Sequence, residues 1–243
     1  MSKVIAIVNF KGGVGKTTSV LNIGAGISDY KSVLLIDLDP QHNLTQSVNI
    51  ETETEEPTIY ESLVHGAPVQ VVGISDTLHI VASDIKLIRA EMELSGVYRR
   101  EVQLRRILEP LSSDYDYILI DCPPSLGLLT QNAIEAADTI FTPVAADYLA
   151  LKGYRVLSDA LARVERKIDR AFITRYDRRK VLARNVQTAL REELGSRLFE
   201  TVIRENVALA EAPAAGLSIF EYNPTSAGAD DYTALVNEIL NDE

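Results

Sequence analysis

Eight residues near the start of the chain have the types and spacing of a phosphate site: Lys11-Gly12-Gly13-Val14-Gly15-Lys16-Thr17-Thr18. Three glycines let backbone N–H groups converge on one point, because without a Cβ they reach conformations closed to other residues. A helix starting there adds unpaired N–H groups and the positive end of its dipole. Lys16 is placed to reach the outer phosphates of a nucleotide, and the Thr17 hydroxyl to ligate Mg²⁺. Gly12, Gly13, Val14, Gly15 and Thr18 complete the cradle. The plain alternative is a glycine-rich turn that binds nothing. Two lysines and two threonines set around the glycines weigh against it.

Carboxylates follow two apolar runs. Val33-Leu34-Leu35-Ile36 leads into Asp37-Leu38-Asp39, and Tyr117-Ile118-Leu119-Ile120 leads into Asp121. The C-terminal end of a buried parallel strand faces the ligand crevice of an open α/β sheet. Asp121 stands where such a carboxylate holds Mg²⁺ through a water molecule, a turn-capping aspartate being the alternative. Asp37 and Asp39 share one face because strand side chains alternate. A solvated pair at a strand end is the alternative for them.

The elements that must position these groups alternate along the chain. Strands are expected at Val4 to Val8, Val33 to Asp39, Leu78 to Ala82, Tyr117 to Asp121, Thr139 to Val144, Ala171 to Thr174 and Phe199 to Ile203. Helices are expected at Thr17 to Ile27, Thr58 to Leu63, Arg99 to Leu111, Ala150 to Lys167, Val181 to Leu194 and Gly228 to Leu240. Residues 49–57 are polar and acidic and read as a mobile loop, and Val48 to Ile59 is placed to cover the site. Alternating strands and helices specify an α/β doubly wound, mostly parallel sheet, with residues 1–243 as one domain.

Composition narrows the class. The chain has 243 residues, 46% of them hydrophobic, enough for a sizeable core. One cysteine, Cys122, supports neither a disulfide scaffold nor a Cys-Cys metal site. No apolar run approaches the roughly 18 residues of a membrane span, and the start lacks a signal-peptide layout, so a cytoplasmic location is expected. The net charge of −11 opposes nucleic-acid binding but is unevenly spread. Residues 163–204 hold twelve Lys/Arg against six Asp/Glu, a balance of +6, leaving −17 on the rest.

The loop departs from the common P-loop pattern G-x-x-x-x-G-K-[ST], with Phe10 at the first glycine position and Lys11 beside it. K-G-G-x-G-K-T-T is the signature of the deviant-Walker partition ATPases, the ParA/Soj/MinD group. Asp37-Leu38-Asp39-Pro40-Gln41 is similar to that family's D-x-D-P-Q segment, and Asp121-Cys122-Pro123-Pro124 to its D-x-P-P. The chain resembles the family from Lys3 to Leu240. The resemblance implies a P-loop NTPase fold of the deviant Walker A type and slow, partner-stimulated hydrolysis of ATP to ADP and phosphate with Mg²⁺. It also implies a homodimer closed by ATP. In this reading Lys11, Lys16 and Asp39 are catalytic. Asp39 positions the attacking water, and Thr17, Asp37 and Asp121 serve the metal. Lys11 crosses the two-fold to the partner's phosphates in the manner of an arginine finger, a solvated lysine at the loop mouth being the alternative.

By the same resemblance, Asn206-Val207-Ala208-Leu209-Ala210-Glu211-Ala212-Pro213 matches N-V-x-L-x-E-A-P, near which the base is held, so Thr174 and Arg204 are expected beside adenine. Ser83 to Leu87 with Glu91 to Leu94 is assigned to a dimer or partner face, or else to a helix packed on the core. Chromosome-type relatives read I-P-R-N-V-R-L where this chain has Arg204, Glu205 and Ala208 at the proline and the two arginines. Each lost cation lowers nonspecific duplex affinity. DNA binding is then weakened, or moved onto Arg175, Arg178, Arg179, Lys180, Arg184, Arg191 and Arg197, with a solvated helix face as the alternative.

Two functions stay open: a DNA-partition switch released by a ParB-like partner, or a positioning ATPase for a protein cargo with little DNA affinity. The nitrogenase-reductase and metal-pump branches need paired cysteines, which Cys122 cannot supply. The acidic end, Val236 to Glu243, lacks the basic amphipathic tail by which MinD-type relatives bind membrane. No N-terminal extension for a helix-turn-helix is expected.

Overall fold

Val4-Ile5-Ala6-Ile7-Val8 has no polar side chain on either face, the composition of a strand covered by helices on both sides. The computed structural model, which describes residues 2–52 and 57–242, places it at the centre of a sheet. The described strands are β1 (Lys3–Ile7), β2 (Val33–Asp37), β3 (Val72–Gly73), β4 (Leu78–Val81), β5 (Tyr117–Asp121), β6 (Thr139–Ala145), β7 (Arg170–Tyr176) and β8 (Leu198–Arg204). Their order is β3-β4-β2-β5-β1-β6-β7-β8, with every pairing parallel except that of β3 with β4. The doubly wound, mostly parallel sheet expected from the alternation of elements is therefore the architecture found.

The described α-helices are α1 (Lys16–Ser28), α2 (Asn43–Gln46), α3 (Ile59–His65), α4 (Ala90–Glu93), α5 (Gln103–Leu108), α6 (Leu128–Ala136), α7 (Ala150–Ala162), α8 (Val181–Leu194), α9 (Ala208–Glu211), α10 (Ile219–Tyr222) and α11 (Ala227–Asn241). Strand alternation divides the core into two layers. Ile5, Ile7, Val33 and Leu35 pack beneath α1, α10 and α11 with Ile23, Ile219, Tyr232 and Leu235. Ala6, Val8, Leu34 and Ile36 face the other layer, with Leu63, Leu104, Ile134, Leu157 and Leu190 from α3, α5, α6, α7 and α8. Ser19 of α1 and the buried Tyr232 of α11 share a hydrogen bond of 2.9 Å, which ties those helices together.

Several boundaries differ from expectation. The helix expected to reach Lys167 ends at Ala162. The Leu161 carbonyl accepts from both Val164 and Arg166, and Glu165 turns left-handed at φ 57°, so the chain can return to β7. Arg99 to Leu111 is not one helix. Arg99 is left-handed at φ 54°, a 3-10 turn precedes α5, and another containing Pro110 follows it. Thr58 and Glu61 form a capping box that starts α3 at Ile59. The short helices α2, α6, α9 and α10 and the two-residue β3 were not anticipated, α6 lying behind Pro123, Pro124 and Gly127. The acidic loop expected at 49–57 lies partly outside the described residues. Among the described residues no helix is long and apolar enough to cross a membrane.

Candidate functional site: a phosphate loop with buried carboxylates

In this topology β1 lies between β5 and β6: the chain leaves β1 toward β2 on one side, and the later connection from β5 to β6 crosses to the other, which opens a crevice at the strand C-termini. The loop from β1 to α1 enters that crevice. Gly13 at φ 71° and Gly15 at φ 90° take conformations that a residue with a Cβ rarely adopts, and Gly15 caps α1. The Val14 carbonyl accepts 2.8 Å from the Thr174 hydroxyl, so β7 holds the loop from outside. Lys16 is 7% exposed although charged.

Behind the loop the two carboxylate strands meet in register. Asp37 pairs with Asp121 across β2 and β5, and both are fully buried. The Thr17 hydroxyl donates to Asp121 Oδ2 at 2.6 Å. The other oxygen, Oδ1, is buried with no hydrogen-bond partner among the described residues. Burial first, and then the neighbouring Asp37, push the Asp121 carboxyl up to about 8, against the pull of Thr17 and Lys16. Burial also raises Asp37, to about 6, although Thr45 donates to it from both its backbone N–H and its hydroxyl. A hydroxyl, an orphaned carboxylate oxygen and a buried acidic pair form an oxygen donor set suited to a hard divalent cation.

Asp39 is 7% exposed and lines the cleft. Its backbone N–H donates to Asp37 Oδ1 at 3.1 Å, its carbonyl accepts from the Ser83 hydroxyl, and its Oδ1 accepts from Gln41 N–H. Thr45 and Ser83 were missed from sequence. Thr45 Oγ1 also accepts from Ser83 N–H at 3.0 Å, closing a network that no spacing rule announces. The cleft, about 920 Å³, continues from Gly12, Thr17 and Thr18 to an apolar end at Ile203, Leu209 and Pro213.

Other expected residues are placed as follows. Thr174 and Arg204 both line the cleft. The Arg204 guanidinium is committed to Asp231 of α11 at 2.6–2.9 Å and to the Ala227 carbonyl. Lys11 is not among the cleft-lining residues; its ammonium pairs with Asp147, just past β6, in the same chain. Ser83 to Leu94 presents two sides. Leu87, Ala90 and Leu94 enter the core, while Ile85, Ile88 and Met92 are exposed.

The basic cluster does not form one face. Arg178, Arg179 and Lys180 sit between β7 and α8 at the cleft end of the sheet, and Arg184 donates to the Arg178 carbonyl from the first turn of α8. Arg191 lies seven residues on at the far end of α8, where it donates to the Leu198 and Phe199 carbonyls and pairs with Glu200 at 2.9 Å. Arg197 donates to the Ile168 carbonyl at that same far end.

A family model described as an AAA domain matches residues 2–174. The chain is 41% identical over 249 residues to the sporulation initiation inhibitor protein Soj of Bacillus subtilis, spanning 98% of each. It is 38% identical over 250 residues to the chromosome-partitioning ATPase Soj of Treponema pallidum, covering 99% of this chain and 98% of the other. Among solved structures, cobyrinic acid a,c-diamide synthase of Mycobacterium smegmatis with bound ADP and magnesium is similar at a TM-score of 0.85 and 30% identity, covering 99% and 94%. With its lysine-flanked glycine loop, paired strand-end aspartates and near-complete overlap with the Soj proteins, the chain belongs to the ParA/Soj-type partition ATPases of the P-loop class.

Proposed function

We propose that the chain is one ATPase unit that works as a cytoplasmic switch for DNA partition. ATP closes a homodimer, the dimer holds duplex DNA without sequence preference, and a ParB-like partner stimulates slow hydrolysis and release. The observation that carries the nucleotide part is the Thr17–Asp121–Asp37 cluster behind an open phosphate loop, with Asp121 Oδ1 buried and unpaired among the described residues. Thr17 and Asp121 would hold Mg²⁺, and the metal would neutralise charge on the transferring phosphoryl group. Lys16 binds the phosphates, Asp37 braces Thr45 and the Asp39 backbone, and Asp39 orients water. Ile203, Leu209 and Pro213 take the base. Lys11 leaves Asp147 on dimerisation and serves the partner's nucleotide.

Full-length overlap with two Soj proteins at 38–41% identity supports partition over the synthase activity named for the solved structure. The test is retention of the protein on arbitrary duplex at about 50 mM salt, where phosphate contacts are strongest, with ATP against ADP. Retention should require ATP and disappear in Lys16→Ala, whose nucleotide affinity should fall by about 2–5 kcal/mol, the usual cost of truncating a buried charge partner. An ATP-bound dimer that ignores duplex under these conditions would sink the DNA part. A second reading, positioning of a protein cargo, draws on one observation: Asp177 and Glu205 neutralise the nearest cations, Arg179 and Lys180.

A further inference from the structure

The mouth of the cleft is bordered by the C-terminal ends of β7 and β8, whose register slips near the strand starts, between Ala171 and Ile173, and again toward the cleft, between Ile173 and Tyr176. Within the second slip, Arg175 is left-handed at φ 52°. Such a backbone is uncommon for a residue with a Cβ, and irregular pairing of this kind re-aims a side chain beside a site. Here it aims a guanidinium. Arg175 Nη1 donates to the Gly13 carbonyl at 3.5 Å, and Nη2 lies 3.7 Å from Glu205 Oε1. The other carboxylate oxygen of Glu205 accepts from Lys180 Nζ at 3.1 Å. The Glu205 backbone N–H, donated to the Tyr176 carbonyl, holds it in place between the two cations.

Stability does not account for this bridge. All three side chains are about half exposed or more, at 61%, 58% and 48% for Arg175, Lys180 and Glu205. Ion pairs so placed contribute little to folding. What the arrangement does reproduce is recognition: an anionic oxygen pair shared by an arginine and a lysine is how proteins take a phosphodiester. Arg175 is anchored to the phosphate loop through Gly13. Lys180 has a flexible stem and, among the described residues, one other carboxylate neighbour, Asp177 at 3.8 Å.

We propose that Glu205 is an internal stand-in for a backbone phosphate, occupying Arg175 and Lys180 and so limiting how tightly this edge takes up duplex nucleic acid. The inference rests on the DNA-binding reading above and names the residue that limits it. Lys180 is the cation chiefly withheld.

The test uses the full chain with ATP and a labelled duplex of arbitrary sequence, followed by anisotropy from about 50 to 200 mM salt. Glu205→Gln should bind roughly tenfold tighter at the lowest salt, and its log–log salt dependence should steepen by about one, the slope of one added phosphate contact. The double variant Lys180→Ala/Glu205→Gln should lose that gain, while unchanged circular dichroism shows that each variant is folded. If Glu205→Gln and parent bind with equal affinity and slope, the proposal is overturned and the partition reading stands. Binding by Glu205→Gln alone supports the proposal but removes DNA from the parent's function. If neither binds, both fail.

Discussion

The nucleotide cleft and the β7–β8 edge are both rich in charge and treat it in opposite ways. In the cleft, Asp37 and Asp121 are fully buried side by side and Lys16 is nearly so. One oxygen of Asp121 has no hydrogen-bond partner among the described residues. At the edge, Arg175, Arg179 and Lys180 are exposed, and each is matched with a carboxylate. A buried carboxyl pair short of partners resists ionising in the free protein, and the group that completes it relieves that cost. Exposed charge that is already compensated costs little and must first be released before it can serve a partner. One region is built to be filled, the other to be selective.

The sharpest way to break this comparison is Asp39→Ala. Removing the carboxylate that faces the cleft should leave ATP-bound dimers whose turnover falls by a factor of about 10² or more, measured by phosphate release beside size-exclusion chromatography. Near-normal turnover would move the water-orienting role elsewhere. Thr45→Val should come next. It deletes the hydroxyl that donates to Asp37 and accepts from Ser83, costing about 1–3 kcal/mol in urea denaturation, and Thr45→Ser should restore most of it. A loss within error would mean that the network does not brace Asp37.

The pH dependence of magnesium binding comes after that. Burial and Asp37 hold Asp121 up to about 8, so it must shed a proton before meeting a cation. Affinity for Mg²⁺ with nucleotide should therefore rise with pH, by at most about tenfold per unit, and level off above about 8. Calorimetry with Asp121→Asn should show a flat profile, and a flat profile in the parent would mean that the carboxylate is already ionised. The smallest effect separates the two ends of α8. Arg178→Ala and Arg184→Ala should each flatten the salt dependence of duplex binding by about one. Arg191→Ala and Arg197→Ala should leave it unchanged, because both lie at the far end of the sheet from the cleft, beside the start of β8.

Much of the fold was legible beforehand because its strands are buried on both faces. Tyr117 to Asp121 and Val181 to Leu194 are found with the bounds that their apolar patterns predict. The helix past Ala162 was misread because a periodic pattern does not show where a chain must turn back, which Glu165 settles with a left-handed backbone. The site divides in the same way. Glycines, lysines and threonines at fixed spacing mark a phosphate loop because the chemistry is local. Thr45, Ser83, Asp147 and Asp231 carry no such mark, since each acts on a residue 8 to 136 positions away.

By itself the sequence determined seven of the eight described strands, most of the longer helices, the phosphate loop and the carboxylates at two strand ends, because burial pattern and local spacing need no knowledge of distant neighbours. Only the tertiary structure decided which charges are spoken for. It set Arg204 against Asp231, Lys11 against Asp147 and Glu205 between Arg175 and Lys180. The reason is physical: a charge's partner depends on distance in space, and in a doubly wound sheet neighbouring strand ends come from remote parts of the chain.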